Sequence, residues 1–222
     1  MNTQNIPPAT KNILIINIVV YLAMLLGSRV GSESFIISQF ALFYPKSDFF
    51  RIWQPLTYMF VHGGFWHIFF NMYSLFLFGS IVENIIGTRK FITFYLLCGL
   101  GAAALHIAVQ GLEVQHYINT GTMSAIFDLK RTPTVGASGA IYGLLLAYGL
   151  LFPESRLTLL FPPVTMRART MVLVFIGIEL VTGVLSLDGI AHFAHLGGML
   201  VGFIMITLWR KAGRLFDRDI WI

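Results

Sequence analysis

Residues 135–152 read VGASGAIYGLLLAYGLLF, and residues 190–209 read IAHFAHLGGMLVGFIMITLW. Both are continuous apolar stretches close to the roughly 20 residues that cross a bilayer. The first holds Ser138 between Gly136 and Gly139, and the second holds His195 ahead of Gly198 and Gly202. Hydrocarbon is a costly place for an imidazole, so an intramembrane histidine with a partner within reach is by default a functional site. Here the partner is Ser138.

The rest of the chain has the same character. Hydrophobic residues make up 56% of the 222 and charged residues 11%, and the apolar ones fall in blocks of membrane-crossing length. The expected fold is an all-α polytopic bundle of six transmembrane helices, forming one domain over residues 1–222. The spans are expected at Asn12 to Gly27, Pro55 to Ile86, Phe91 to Gly111, Val135 to Phe152, Met171 to Leu187 and Ile190 to Trp209. The second is overlong, so its start is expected at the interface. The N-terminal MNTQNIPPATK lacks the basic start and small-residue cleavage site of a secretory signal, and the first span is expected to stay as an anchor.

With the N-terminus in the cytoplasm, the inner segments hold Lys11, Arg89, Lys90, Arg156, Arg167, Arg169, Arg210, Lys211, Arg214 and Arg218. The outer ones hold Arg29, Lys46, Arg51, Lys130 and Arg131, half as many. Both termini are therefore expected in the cytoplasm. This asymmetry accounts for the net charge of +5, and no nucleic-acid partner is implied, since no basic stretch is interleaved with stacking aromatics on a polar surface.

In this topology Ser138 and His195 both lie one or two turns below the outer surface, at about 1.5 Å per residue. Gly139 with Gly143, and Gly198 with Gly202, form small-xxx-small pairs that let two membrane helices approach closely. Read alone, each of these residues has an ordinary packing role. His67 and Asn71, four apart on one helix face, alter that balance, because an acyl-transfer site needs donors aimed at an oxyanion. His67, Asn71 and the Ser138 amide are the candidates. Tyr142, one turn beyond Ser138, is placed to stack on His195. No acidic third member is evident, so the site reads as a Ser-His dyad. Glu179, inside the fifth span, is protonated, paired with a polar neighbour or turned towards water, with no catalytic role assigned, and Asp188 reads as a helix N-cap.

These residues resemble those of the rhomboid intramembrane serine proteases. The matching elements are His67-x3-Asn71 with Gly79 and Glu83, Gly136-x-Ser138-Gly139 with Tyr142, and Ala194-His195-x2-Gly198-x3-Gly202, in the same order and on the same spans. The resemblance covers nearly the whole chain and looks like the six-span bacterial form. It implies Ser138 as nucleophile, His195 as general base and acid, and His67, Asn71 and the Ser138 amide as oxyanion donors. His192 is passed over as the base because only His195 has the following glycines at the family spacing. One departure is Trp53-Gln54, where many relatives have Trp-Arg; Gln lacks the charged fork of Arg, which leaves the anchoring of the first outer loop open.

Within that loop, Ser28 to Phe50, the apolar Phe35, Ile36, Ile37, Phe40, Leu42, Phe43 and Tyr44 lie between polar residues, as in a segment lying in the outer leaflet. The family places this loop beside the active site and admits substrate near segment five. The expected reaction is hydrolysis of a peptide bond in or near a transmembrane segment of another membrane protein, with the lipid bilayer as setting and no cofactor or metal. A bacterial plasma membrane is the expected location.

Two rivals remain. A metal or haem carrier built on His62, His67, His106, His116, His192 and His195 explains neither Gly136-Ala137-Ser138-Gly139 nor Asn71. A catalytically silent relative that binds membrane clients typically lacks the nucleophile or base, and this chain keeps both. The single Cys98 excludes an internal disulfide.

Overall fold

The structure, a computed structural model, describes residues 5–31, 33–159, 163–185 and 191–216. Asp188, Arg218, and the expected span ends at Leu187 and Ile190 lie outside the described residues. Helix α1 (Pro8–Arg29) is followed by α2 (Glu33–Phe40) and the short α3 (Gln54–Thr57). Helix α4 (Phe65–Ser74) runs through a π-turn at Leu75–Gly79 into α5 (Ser80–Ile86), and α6 (Thr88–Thr120) and α7 (Met123–Arg131) come next. Then follow α8 (Ser138–Leu151), β1 (Arg156–Thr158), β2 (Thr165–Arg167), α9 (Ala168–Leu185) and α10 (His192–Lys211).

The protein is nearly all helical and multi-pass. Among the described residues, five stretches are long and apolar enough to cross a membrane: α1, the continuous helix Phe65–Ile86, α6, α9 and α10. The fourth expected span corresponds to α8, whose 14 residues fall short of that length. At about 1.5 Å per residue it covers about 21 Å, against a hydrocarbon core of about 30 Å. The second span begins at Phe65, after α3 and a 3₁₀ turn, so Pro55 belongs to the lead-in. The third is longer than expected and continues to Thr120. The all-helix expectation needs one amendment, an antiparallel hairpin in which Leu157 pairs with Met166.

Burial is inverted relative to a soluble protein. Leu26, Val184 and Leu173 are exposed, while Asn17, Gln54, Glu83, Gln110, Glu179, His192 and His195 are buried. That is the arrangement expected where the solvent is lipid and polar groups must find partners inside. Helix α10 is the central element, packed against α6, α8 and α9, and Phe91, Phe94, Tyr95, Cys98, Leu144 and Ile206 fill the core around it.

Two polar clips tie the periphery to this core. The buried Glu83 carboxylate accepts the backbone N-H groups of Ala9 at 2.9 Å and Thr10 at 2.7 Å and both the Thr10 and Thr88 hydroxyls at 2.8 Å. It thereby satisfies orphan donors in the first turn of α1 and complements the positive end of that helix. The other clip is Gln54, fully buried. Its amide donates to the carbonyls of Ser38 at 3.0 Å and Phe49 at 2.8 Å, and its carbonyl oxygen accepts the Phe43 N-H at 3.3 Å. A neutral carboxamide, with donors and an acceptor, thus anchors the outer loop through backbone groups alone, with no need for a charged fork. The indole of Trp53 adds a bond to the Gln39 carbonyl at 2.8 Å. Part of this loop is exposed at Phe35 and Phe40, while Ala41 to Tyr44 are buried in the body.

Replacing Gln54 with Leu strips three backbone groups of their partner at a buried site, where each unsatisfied group costs about 1–3 kcal/mol. Thermal unfolding in detergent is expected to show a lower midpoint, with faster proteolysis between residues 38 and 54.

Candidate active site

Ser138 is the first residue of α8 and is reached by an extended segment, Thr132 to Val135. Irregular backbone at membrane depth is tolerated only where protein or a polar cavity satisfies it. Here Thr134 exchanges backbone hydrogen bonds with Leu42 at 2.8 and 2.9 Å, and the Gly136 N-H donates to the Tyr58 carbonyl at 3.0 Å. The loop held by Gln54 is therefore the strand that holds the approach to Ser138. Gly136 adopts φ +118°, a conformation side chains rarely take, and a Cβ built on it would lie 2.6 Å from His67 Nε2. The glycine thus lets the imidazole of His67 sit against the turn that carries Ser138.

His195 occupies the second turn-start of α10, two residues from Gly197. A Cβ on Gly198 would collide with the Gly139 carbonyl oxygen, one on Gly143 would lie 3.0 Å from the Gly198 carbonyl, and one on Gly202 3.1 Å from that of Gly143. Helices α8 and α10 therefore touch backbone to backbone. The contact brings Ser138 Oγ to 2.7 Å from His195 Nε2, a hydrogen-bond distance. The Tyr142 ring lies on the His195 ring, nearly parallel at 4° with centroids 4.2 Å apart.

His67 and Asn71 are on one face, but their donors are not equally free. The Asn71 amide donates to the His67 carbonyl of its own helix at 2.8 Å, leaving its second N-H unused. His67 Nδ1 accepts the Gly63 N-H at 3.3 Å, so that Nε2 is the nitrogen turned to the site. The Ser138 amide, first in its helix, has no intrahelical carbonyl to bond. Two cavities meet at His67 and Ser138. One, of about 630 Å³, is lined by His106, Gln110, Glu113, Thr134, His192 and His195; the other, of about 580 Å³, runs between α4, α8 and α9 past Phe70, Asn71, Tyr142, Leu145 and Phe175 to Leu157 of the hairpin.

Glu179, left without a role by the sequence, is paired. Its Oε2 lies 2.6 Å from His192 Nδ1 and 3.0 Å from His195 Nδ1. An acidic neighbour of His195 is thus present where none was expected. The sequence signal was an ionisable residue in an apolar span, together with His192 and His195 three apart on one face; what it lacked was the rotation of α9 about its axis. Among the described residues, Glu179, His192 and His195 are also the set whose ligand atoms, all within 4.8 Å, could hold a metal ion. His62, His67, His106 and His116 fall outside it; His106 bonds the Thr134 hydroxyl at 2.8 Å.

Residues 50–212 match the model of the rhomboid domain family. The chain is 32% identical over 149 residues to the presenilin-associated rhomboid-like protein, mitochondrial, of Mus musculus, a stretch covering 67% of this chain and 36% of that protein. It is 30% identical over 153 residues to RHOMBOID-like protein 6, mitochondrial, of Arabidopsis thaliana, covering 69% and 42%. With RHOMBOID-like protein 12, mitochondrial, of the same plant it shares 28% over 184 residues, covering 82% and 54%. The matched stretch thus spans about a third to a half of these relatives' length. The expected bacterial plasma membrane gains no support from relatives named as mitochondrial.

Gly136→Ala is expected to displace His67, combining strain at positive φ with a steric clash, and to lower the thermal midpoint by several degrees. Nearby, His62 lies in the turn before α4, is 1% exposed and has its pKa lowered to about 4, by desolvation first and by His67 second. The folded pKa lies below the ordinary 6.5, so the unfolded chain takes up the proton first as pH falls. Stability present above pH 6.5 is therefore lost between about 6.5 and about 4, by up to about 3 kcal/mol. Unfolding midpoints across that window are expected to fall less steeply in His62→Phe.

Proposed function

The chain belongs to the rhomboid family, and from that premise we propose that it is an intramembrane serine endopeptidase that cleaves peptide bonds in or near transmembrane segments of other membrane proteins. The observation that carries this reading is the 2.7 Å contact between Ser138 Oγ and His195 Nε2 at the junction of the two cavities. Hydrolysis inside a membrane requires that an apolar substrate and water reach one serine from different directions. The cavity lined by His106, Gln110 and Glu113 suits water, and the groove past Phe70, Leu145 and Phe175 suits an apolar, locally unwound segment.

In this reading Ser138 Oγ attacks the scissile carbonyl while His195 Nε2 takes its proton. The oxyanion is met by His67 Nε2-H, the second N-H of Asn71 and the Ser138 amide. Collapse expels the amine, which leaves with the proton from His195. Water from the polar side, deprotonated by the same imidazole, then releases the acyl group and restores the serine. Because an intact helix offers no extended bond, target segments are those that unwind readily, with glycine or other helix-weakening residues.

We read the chain as a single domain with six crossings, the α8 crossing completed by the extended segment before it, and both termini in the cytoplasm. A relative named as presenilin-associated supports a protein partner over a small-molecule cargo. A silent client-binding role is the alternative, and retention of both Ser138 and His195 weighs against it.

Purified full-length protein in liposomes is expected to cleave a tagged transmembrane substrate rich in glycine. Ser138→Ala and His195→Ala, folded by thermal unfolding, are each expected to lower the rate by about a thousandfold or more. Cleavage that survives Ser138→Ala sinks the mechanism; folded wild-type protein that cuts none of several such substrates is a silent relative.

A further inference from the structure

Glu179 stands on α9, facing the histidines of α10, and is 3% exposed. A buried carboxylate in a membrane span is costly unless its oxygens are bonded. Two groups converge on it. His192 Nδ1 lies 2.6 Å from Oε2, and His195 Nδ1 is 3.0 Å away. His192 is itself oriented by Thr182, whose hydroxyl donates to the Ile178 carbonyl at 2.6 Å and whose oxygen lies 3.1 Å from His192 Nδ1.

The consequence for His195 follows from proton counting. If Ser138 Oγ-H donates to Nε2, the neutral imidazole must carry its proton on Nδ1. The opposite tautomer places N-H against the serine and disables it as a base. An anionic oxygen beside Nδ1 selects the useful tautomer and stabilises the imidazolium that forms when the serine proton arrives. His195 Nδ1 makes no well-directed hydrogen bond in the resting arrangement, although it is buried. The nearest acceptor is the Glu179 oxygen 3.0 Å away. A contact of this length and poor alignment is what a catalytic hydrogen bond often shows before substrate tightens it.

We propose that Glu179 is a positioning residue for His195, its carboxylate, aimed by His192, holding the imidazole with its proton on Nδ1, so that the site works as a Ser138-His195-Glu179 relay rather than a dyad. Tyr142 complements this arrangement, its ring fixing the plane of His195 by stacking. The proposal rests on the protease reading given above. It adds the element that sets which nitrogen of His195 faces the serine.

The test compares wild-type protein, Glu179→Gln, Glu179→Asp and Ser138→Ala in liposomes, measuring Ser138 labelling by a fluorophosphonate and kcat and KM on one transmembrane substrate. Glu179→Gln keeps the shape but can present N-H to Nδ1 and so favours the wrong tautomer. It is expected to lower kcat and the labelling rate about a hundredfold or more with KM within threefold. Glu179→Asp, still an anion, is expected to recover at least tenfold of that loss, and the thermal midpoints of all variants are expected to agree within a few degrees. Labelling and turnover of Glu179→Gln within threefold of wild type overturn the relay while leaving the protease intact. Equal losses in Gln and Asp variants with a lowered midpoint make Glu179 structural and overturn it too. If wild-type protein neither labels nor cleaves, the protease reading falls and the relay falls with it.

Discussion

The backbone contact between α8 and α10 is the constraint on which the rest of the molecule depends. Gly139 and Gly143 on one helix meet Gly198 and Gly202 on the other, and no side chain fits between them. In lipid there is no hydrophobic gain from bringing two apolar helices together, so association has to come from close packing and polar contacts. Glycine costs a helix about 1 kcal/mol against alanine in water, and the close approach it permits offsets that through dispersion and Cα-H to carbonyl contacts along the seam. Gly197 performs the same service on the other side of α10, where a Cβ would lie 2.6 Å from the Gly101 carbonyl. Helix α10 is thus clamped between α6 and α8. The 2.7 Å separation of Ser138 and His195 is a by-product of that clamp, since short side chains span such a gap only when the backbones touch.

A second constraint comes from placing a serine at a helix start within an apolar body. A helix of α8's length leaves polar backbone to be satisfied above it, and the segment Thr132 to Gly136 is satisfied by Leu42 and by Tyr58. Tyr58 in turn donates its hydroxyl to the Gly99 carbonyl at 2.8 Å on α6. Burial pushes the Tyr58 phenol up from its ordinary 10.0, keeping it protonated as a donor. The outer loop, anchored by Gln54, is therefore part of the support of the site. A carboxamide suffices there because the groups it meets are neutral carbonyls and an N-H, for which an uncharged partner avoids the desolvation cost of a guanidinium.

Polar groups cluster on the inner faces because each needs another. Glu83 collects four donors from α1 and the start of α6, and Glu179 meets the two histidines of α10. Both carboxylates join separate helices, so burial, connectivity and charge neutralisation are one solution to the same low-dielectric environment. The cavities lie where helices bearing such groups do not close on each other, and both reach Ser138.

Much of this was legible in the residues. Apolar runs marked the helices, since hydrocarbon thickness imposes their length, and the glycine pairs marked which helices approach closely. The spacing of His67 and Asn71 put both on one face, and the stacking of Tyr142 on His195 followed from one helical turn. The helical periodicity of α9 could not say which way Glu179 faces, because an apolar helix surrounded by lipid carries no polar stripe to orient it; only its packing against α8 and α10 turned that carboxylate to the histidines. Likewise Gln54 read as a loss, until the fold of the outer loop brought three backbone groups to it. The sequence by itself determined the helices, their membrane character and which polar residues stand out within the apolar spans, because those depend on local composition and period. The tertiary structure alone decided the helix rotations, the loop's anchorage and the companion of His195, because those depend on contacts between residues that no local pattern connects.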